Sequence, residues 1–395
     1  MAADRVPTLT ARAPSEVRAG ENPWLRPIAL FALSRLVVLV AALPAVLRGA
    51  GAGPWPDLPA GSGFARVLTE WDGAWYVWVA DRGYPTAGQL SHHLSDVAFF
   101  PLFPMLIRAT ARVTGLSTMD GALVVSLLAG TATALVLWHL SARLAGRRVA
   151  DRAVALFVFF PGAFVLSMAY AEPLMLAASA ACLLALLDRR WTLAGLAGLV
   201  ATATRPNGVA VLAVCAIVAA VEINRHRDDW RPLAAPALAA CGVGTYFVYL
   251  WIRTGDATAW FRSERVMWHD HVSFGAPVIH HLQGLFRSPP TSLDSGALND
   301  LIAIAGTVFL VAGLVWVWRA RWPLAVRAYA AAALIVPALS YAVGPRPRML
   351  LAAFPLSIYG AEHLRRRAYM SVLTVSIMLL VALTYVTTTS LAAVP

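Results

Sequence analysis

The sequence predicts an all-α polytopic membrane protein with about 11 transmembrane helices. Of the 395 residues, 59% are hydrophobic and only 13% are charged, whereas about a quarter of the residues of a typical soluble domain are charged. Apolar runs of roughly 20 residues, long enough to cross about 30 Å of hydrocarbon, recur along the whole chain. These observations exclude a soluble globular domain.

Hydropathy divides the chain into a cytoplasmic N-terminal segment, residues 1–26, and a single transmembrane domain, residues 27–392. The segment 97–113 is apolar enough for a span, but it contains two prolines and two arginines. The other apolar segments are the predicted spans: 27–48, 121–142, 150–169, 172–187, 192–204, 208–222, 233–252, 300–318, 324–343, 349–363 and 369–392.

The arginines predict the orientation of these spans. We place the N-terminus in the cytoplasm and treat 97–113 as a helix in the membrane interface. The cytoplasmic side, which the positive-inside rule enriches in arginine, then receives the clusters at 143–152, 189–190, 225–231, 319–327 and 365–367. Counting 97–113 as a span would move all of these clusters outside. We therefore expect 11 spans in the cell membrane, with the C-terminus outside.

The basic residues are dispersed along the chain, which argues against a nucleic-acid partner although the formal net charge is +11. No long basic run is present, and arginines beside apolar spans are the usual pattern of cytoplasmic loops. The partners expected from composition are membrane lipids.

Two loops on the outer face, 49–120 and 253–299, are long, while the inner loops are short. Long loops usually carry function, because a simple connection needs only a few residues. The first loop contains "TEWDGAWYVWVADRGYP", in which carboxylates lie among aromatic residues. The second loop contains acidic residues and histidines, but no spacing as specific as H-E-x-x-H. We therefore expect no required cofactor, and dependence on a divalent metal, which no motif supports, stays open.

Asp72 is the candidate general base, because it lies between Trp71 and Gly73 close to a membrane span. The spacing of Trp71, Trp75 and Trp78 is helical, which predicts one aromatic face at the level of the lipid headgroups. Asp72 would then point away from that face, into a cavity enclosed by the outer loops.

Three arginines are candidates for binding an anion. Arg205 lies between two short spans, and an arginine at that depth costs roughly 3 kcal/mol and normally has a partner. A phosphate is one candidate partner, since the guanidinium fork matches its oxygens; an ion pair with Glu172 or Asp72 is the other. Arg346 and Arg348 lie in an outer turn, against the positive-inside tendency, and either contact an anion or are solvated.

Several stretches, in order along the chain, resemble the PIG-V family, the GPI mannosyltransferase II enzymes and their bacterial relatives, which are GT-C membrane glycosyltransferases. They are "EWDGAWYVWVADRGY", "DVAFFPLFPML", "FFPGAFVLSMAYAEPLML", "LAGLAGLVATATRPNGV", "GDATAWF" and "GPRPRMLLAAFPL". The resemblance covers residues from about 27 to 363. It implies a GT-C fold and an inverting enzyme that transfers mannose from polyprenyl-phosphate mannose to a hydroxyl of a glycolipid, glycan or protein outside the membrane.

The resemblance also implies that Asp72 is the catalytic base and that residues 99–101 and Glu172 line the site. We expect Arg205, Arg346 and Arg348 to bind the phosphate of the donor. The remaining expected lining residues come from the two outer loops and the neighbouring turns: Glu70, Trp71, Trp75, Tyr76, Asp96, Phe99, Phe100, Pro101, Asn207, Asp256 and Trp260.

Other functions stay open at this stage. A secondary transporter or flippase would use Arg205 and Glu172 at depth, but it would not explain two long outer loops, and no internal repeat is detected. A non-catalytic membrane scaffold is a third possibility. Within the enzyme class, transfer of another lipid-linked sugar is open, because mannose rests on the resemblance alone.

Overall fold

The computed structural model describes residues 24–49, 63–274, 295–342 and 344–390, together with the single positions 22, 61, 276 and 283. Most of the predicted cytoplasmic segment 1–26 and the middle of the second loop lie outside the described residues. Within these ranges the regular structure is helical, and the one β-bridge, between Val272 and Ser340, is isolated.

Helices follow one another from end to end of the described chain. They are α1 Leu25–Leu47, α2 Gly63–Leu68, α3 Asp72–Arg82, α4 Leu102–Thr114, α5 Thr118–Ala145, α6 Arg147–Val158, α7 Glu172–Leu187, α8 Trp191–Thr204, α9 Val209–Arg225, α10 Ala234–Thr254, α11 Ala259–Val266, α12 Ser295–Arg319, α13 Leu324–Leu339, α14 Pro347–Leu350, α15 Pro355–His363 and α16 Arg366–Thr389. Short 3-10 turns lie at Leu94–Ala98, Pro161–Leu166, Pro206–Gly208, Arg231–Leu233 and Leu351–Ala353.

Among the described residues, 6 helices are long and apolar enough to cross a membrane: α1, α5, α12, α16, and α9 and α10 with the 3-10 turns before them. The helices α7, α8 and α13 are apolar but shorter. These helices confirm the predicted class, an all-α multi-pass membrane protein.

Two of the predicted spans are not continuous helices. The span 150–169 ends as a helix at Val158, because Phe160 is extended (ψ 144°) before Pro161, which opens a 3-10 turn. A residue that precedes proline is disfavoured in the helical region, which explains the break. The span 349–363 is divided into α14, a 3-10 turn and α15, the last of which begins at Pro355. Both breaks lie beside the candidate site.

The segment 97–113, expected to be an interfacial helix, contains α4, which has 13 residues. At 1.5 Å per residue it is about 20 Å long, too short to cross the hydrocarbon core alone. It packs against α5 and α3 and ends at Gly115, whose φ of 74° is left-handed. Glycine is the residue that adopts this conformation at a helix end at little cost.

The helix ends form two groups of ion pairs at opposite ends of the bundle. At one end, Arg189 pairs with Glu222 at 2.6 Å and Arg143 with Asp188 at 3.8 Å. The other end gathers the start of α3, the start of α7, the α8–α9 turn and the turn 344–350. The four charged residues Asp72, Glu172, Arg205 and Arg348 lie in those four places.

Candidate active site

Trp71 and Asp72 form an abrupt helix start. Trp71 has a positive φ of 61° and precedes α3, so Asp72 is the first residue of that helix. The indole Nε1 of Trp71 donates to the Thr387 carbonyl oxygen at 3.2 Å, and the side chain is buried. The expected single face of Trp71, Trp75 and Trp78 is therefore wrong for Trp71, which lies outside the helix and packs toward α16. A carboxylate at Asp72 is favoured there by the helix dipole.

Two arginines and two carboxylates form a continuous ion-pair network. Arg348 Nη1 lies 2.6 Å from Asp72 Oδ2 and 4.0 Å from Glu172 Oε1. Arg205 Nη1 lies 2.8 Å from Glu172 Oε2. The four formal charges of this network, which we call the charge cluster, sum to zero.

Asp72 is the most accessible member of the charge cluster. Its side chain is 20% exposed, whereas those of Glu172, Arg205 and Arg348 are 3%, 9% and 7% exposed. Burial of charge is tolerated because each group is paired. Of the two partners expected for Arg205, the structure shows the ion pair with Glu172.

Two tyrosines enclose the cluster. The Tyr76 hydroxyl accepts from Arg205 Nη1 at 3.5 Å, and the guanidinium of Arg348 lies 5.6 Å from the ring centroid of Tyr170. Both tyrosines are buried. Among the described residues, Nε of Arg205 and Nε of Arg348 have no hydrogen-bond partner. The cluster therefore retains unused donors.

Arg346 lies beside the charge cluster, two residues before Arg348. It is half-buried and its Nη1 donates to Asn299 Oδ1 at 3.2 Å. Burial and the charge of Arg348 lower the pKa of Arg346 to about 10, so it stays positive at neutral pH. Nearby, Asn207 Nδ2 contacts Met349 Sδ at 3.4 Å, which places Asn207 against α14.

The expected aromatic lining residues form one packed group next to α3. Trp75 stacks on Phe99 with ring centroids 5.9 Å apart, and Tyr76 meets Phe99 edge-on at 4.9 Å. Phe100 packs against Trp260 of the second loop, with centroids 6.3 Å apart. Pro101 precedes the first residue of α4 as its N-cap. Sequence analysis missed one member: Trp268 packs edge-on against Trp75 and Phe99 at 5.6 and 5.5 Å.

Glu70 and Asp96 are buried carboxyls of the first loop. Burial raises the pKa of Glu70 to about 7, partly offset by Arg66, and within the described residues its Oε1 has no hydrogen-bond partner. Burial also raises the pKa of Asp96. Asp96 accepts from Trp78 Nε1 at 3.0 Å and lies 3.6 Å from His93 Nδ1. These contacts give Asp96 a structural role in the loop.

Asp256 is engaged in its own turn. Its Oδ1 accepts from the Thr258 amide and hydroxyl at 2.8 and 2.7 Å, and its Oδ2 pairs with Arg262 at 3.1 Å. The hydrogen bond from the Thr258 hydroxyl lowers the pKa of Asp256. These bonds hold Asp256 in the turn just before α11, and the described contacts do not bring it to the charge cluster.

Glu264 is an acidic residue of the site that sequence reasoning did not select. Burial, together with the nearby charges of Asp270 and Asp72, raises its pKa to about 8, although the charge of Arg205 acts in the opposite direction. Asp270 ties this part of the second loop to the end of α13, because it accepts from the Tyr341 and Ala342 amides at 2.8 and 3.0 Å. The sequence offered one sign that Glu264 belongs to the site. It follows Trp260 by four residues, so the two side chains share one helix face.

The described residues contain no group of three or more His, Cys, Asp or Glu side chains that could hold a metal ion. The charge cluster offers two kinds of chemistry, proton transfer by a carboxylate and binding of an anion by arginines.

ArnT from Cupriavidus metallidurans is similar in structure to this chain. The crystal structure of ArnT bound to undecaprenyl phosphate aligns with a TM-score of 0.52 at 16% identity, over 86% of this chain and 61% of ArnT. The apo structure of ArnT aligns over the same shares with a TM-score of 0.44 and 16% identity. No protein-family model and no curated protein sequence matches the chain.

The chain thus spans about three fifths (61%) of the length of the ArnT structures it matches. The likeness shows the fold alone, an all-α polytopic membrane fold as the sequence predicts. The narrower resemblance to the PIG-V family stays a prediction.

Proposed function

We propose that this chain is an inverting glycosyltransferase that moves a sugar from a polyprenyl-phosphate carrier to an acceptor hydroxyl, with Asp72 as general base. One observation carries the proposal. A partly exposed carboxylate is held at 2.6 Å by a buried arginine, at one end of a bundle of apolar helices. The fold shared with ArnT, whose structure holds undecaprenyl phosphate, supports a lipid-phosphate donor.

In the proposed reaction the acceptor oxygen attacks the anomeric carbon of the sugar, and the bond from that carbon to the phosphate oxygen breaks. Polyprenyl phosphate leaves with the bonding electrons, and the acceptor proton passes to Asp72. Attack opposite the leaving group inverts the configuration. General-base assistance of this kind typically contributes about 10²–10⁴-fold.

The arginines of the site favour an anionic donor, because the guanidinium fork matches the oxygens of a phosphate. The charge cluster is neutral, and Arg346 lies next to Arg348. Arg348 could turn its fork from Asp72 to the phosphate, so that donor binding would free the base at the moment it is needed.

Arg205 has a different place in this scheme. Its ion pair with Glu172 is the more buried of the two, so we assign it chiefly to holding Glu172, with its free Nε available to a phosphate oxygen. The aromatic group of Trp75, Phe99 and Trp268 would contact the prenyl chain or the sugar. Mannose as the sugar comes from the PIG-V resemblance, and the acceptor is a glycolipid, a glycan or a protein.

In this proposal the end of the bundle that carries the charge cluster lies outside the cell membrane, and the positive-inside pattern of the sequence supports that orientation. A lipid-linked donor fits that location, because its prenyl chain keeps it in the bilayer and no nucleotide is needed. No bound metal is invoked for any step.

The test is a donor assay on the purified chain in nanodiscs. Radiolabelled polyprenyl-phosphate mannose and a second polyprenyl-phosphate sugar are each supplied with a bacterial membrane lipid extract, and both labelled product and released polyprenyl phosphate are measured. Transfer from one donor supports the proposal and fixes the sugar. Donor binding with movement of donor across proteoliposome membranes, but without release of polyprenyl phosphate in any extract, would replace the transferase with a transporter or flippase.

A further inference from the structure

Arg35 is a buried arginine within the membrane span α1. It is 5% exposed, and no carboxylate lies within ion-pair distance of it in the described part of the chain. Its guanidinium instead binds neutral oxygens: Nη1 donates to the Ala163 carbonyl at 2.7 Å and to Ser167 Oγ at 2.9 Å. Nη2 donates to the Val158 carbonyl at 3.1 Å. An arginine inside a span needs such partners.

These acceptors belong to one place in the fold. Val158 is the last residue of α6, and the carbonyls at a helix C-terminus lack partners within the helix and carry partial negative charge. Ala163 and Ser167 lie in and just after the 3-10 turn that follows. Arg35 thus caps α6 and fixes the start of residues 159–171, which we call the platform segment.

The platform segment supports the turn that carries Arg348. At Gly162, an added Cβ would collide with the Pro347 carbonyl and would lie 2.6 Å from the Arg348 amide nitrogen. The backbones of the two segments are therefore in direct contact, and only glycine allows that approach. Any shift of the platform segment at Gly162 moves the backbone of Arg348.

The same segment supports the two carboxylates of the charge cluster. The Ala169 amide donates to the Leu68 carbonyl at 2.9 Å, and an added Cβ on Gly73 would lie 3.3 Å from Ala169 Cβ. Asp72 therefore sits at a helix start that rests on the platform segment. Glu172 follows the segment directly as the first residue of α7.

We infer that Arg35 is a positioning residue for the reaction: through the platform segment it sets the separation of Asp72, Arg348 and Glu172. The inference rests on the proposed function. Arg35 touches no substrate, and its effect passes through residues 159–171. A misplacement of about 1 Å between reacting groups can cost on the order of 10²-fold in rate.

Hydrogen–deuterium exchange tests the structural half of this inference on the full chain in nanodiscs, without any substrate. Arg35→Gln is compared with Arg152→Gln, a matched control whose Nη2 also donates to a helix-end carbonyl, that of Leu364 at 2.8 Å. The expected result is faster exchange in 159–171 and 345–351 for Arg35→Gln, and near 364 for Arg152→Gln. Unchanged exchange at 159–171 in Arg35→Gln would overturn the inference.

Kinetics test the functional half. For Arg35→Gln we expect kcat for transfer from polyprenyl-phosphate mannose to fall at least about tenfold. The kcat of Arg152→Gln should stay within about twofold of wild type, even when this variant loses as much thermal stability as Arg35→Gln. Arg35→Lys keeps the charge but loses the planar fork, so its kcat is expected to lie between those of wild type and Arg35→Gln. If Arg35→Gln does not fold, Arg35→Lys replaces it in this comparison. Equal kcat in the Arg35 and Arg152 variants would refute positioning.

The two proposals fail in different ways. Absence of transfer by the wild-type chain would remove the proposed function, whereas the exchange pattern would still decide whether Arg35 holds the platform segment.

Discussion

Removing either partner of the Glu172–Arg205 ion pair should destabilise the protein but shift its affinity for a lipid phosphate in opposite directions. The pair is 2.8 Å long, with side chains 3% and 9% exposed. Removing one partner of such a buried pair typically costs about 3–5 kcal/mol. Arg205→Gln should lie at the lower end, because Glu172 keeps Arg348 at 4.0 Å. Glu172→Gln should cost more, because two arginines then share Asp72.

The two substitutions change the affinity in opposite directions because the charge cluster is neutral in the wild type and each substitution removes a charge of different sign. Glu172→Gln gives it a net charge of +1, and Arg205→Gln gives it −1. A unit charge about 5–8 Å from a phosphate contributes about 2–3 kcal/mol at an effective dielectric of about 20. We therefore expect the Kd for undecaprenyl phosphate to fall about 30- to 200-fold in Glu172→Gln and to rise by a similar factor in Arg205→Gln.

The assay combines thermal unfolding in nanodiscs with binding of undecaprenyl phosphate, measured by native mass spectrometry or by tryptophan fluorescence. The double variant Glu172→Gln/Arg205→Gln should lose less stability than the two single losses added together, and its Kd should return toward wild type. Glu222→Gln, which breaks the 2.6 Å pair with Arg189 at the far end of the bundle, should leave the Kd unchanged. The reasoning is refuted if both single variants weaken binding.

Three further substitutions test separate parts of the account. Because the pKa of Glu70 is raised from 4.5 to about 7, the folded protein holds that proton more tightly than the unfolded chain, so wild type should lose up to about 3 kcal/mol as pH rises from about 4.5 to 7. Glu70→Gln should abolish this loss in thermal unfolding measured at pH 5 and pH 8. The pKa of Glu264 is about 8, so ionisation above that pH adds negative charge beside Asp72. Above that pH, the affinity for the donor should weaken in wild type but not in Glu264→Gln. The same pH profile of donor affinity in both proteins would contradict this. Gly162→Ala should lower both transfer and thermal stability, because its Cβ collides with Pro347, and wild-type values for both would show that the two segments can separate freely.

The helices were largely predictable because the membrane imposes a length and a polarity on each of them. The predicted span 172–187 has the bounds of α7, since Glu172–Pro173 is a strong helix start. The break after Val158 was not predicted, although Pro161 is visible in the sequence. Hydropathy averages over about 20 residues, and it therefore passes over a proline flanked by apolar residues.

The residues of the site were more predictable from the sequence than the contacts between them. Asp72, Glu172, Arg205 and Arg348 were all selected from the sequence, and the structure brings them into one ion-pair network. Which arginine pairs with which carboxylate depends on contacts up to 276 positions apart in the chain, which no local pattern encodes.

Other features of the site left no usable signal. The positive φ of Trp71 occurs at a non-glycine residue, so the helical spacing of the tryptophans was misleading. Arg35 lies in an apolar run, and two of its acceptors are backbone carbonyls. Backbone acceptors are present at every residue and therefore leave no mark in the sequence.

The most direct test of the central claim compares Asp72→Asn with Asp81→Asn, a carboxylate on the same helix that accepts from the Thr118 hydroxyl at 3.2 Å. Transfer from polyprenyl-phosphate mannose and binding of undecaprenyl phosphate are measured in parallel for both variants. We predict that Asp72→Asn loses about 10²–10⁴-fold in transfer rate while it binds undecaprenyl phosphate at least as tightly as wild type, and that Asp81→Asn keeps both. Transfer by Asp72→Asn at the rate of Asp81→Asn would contradict the assignment of Asp72 as the base.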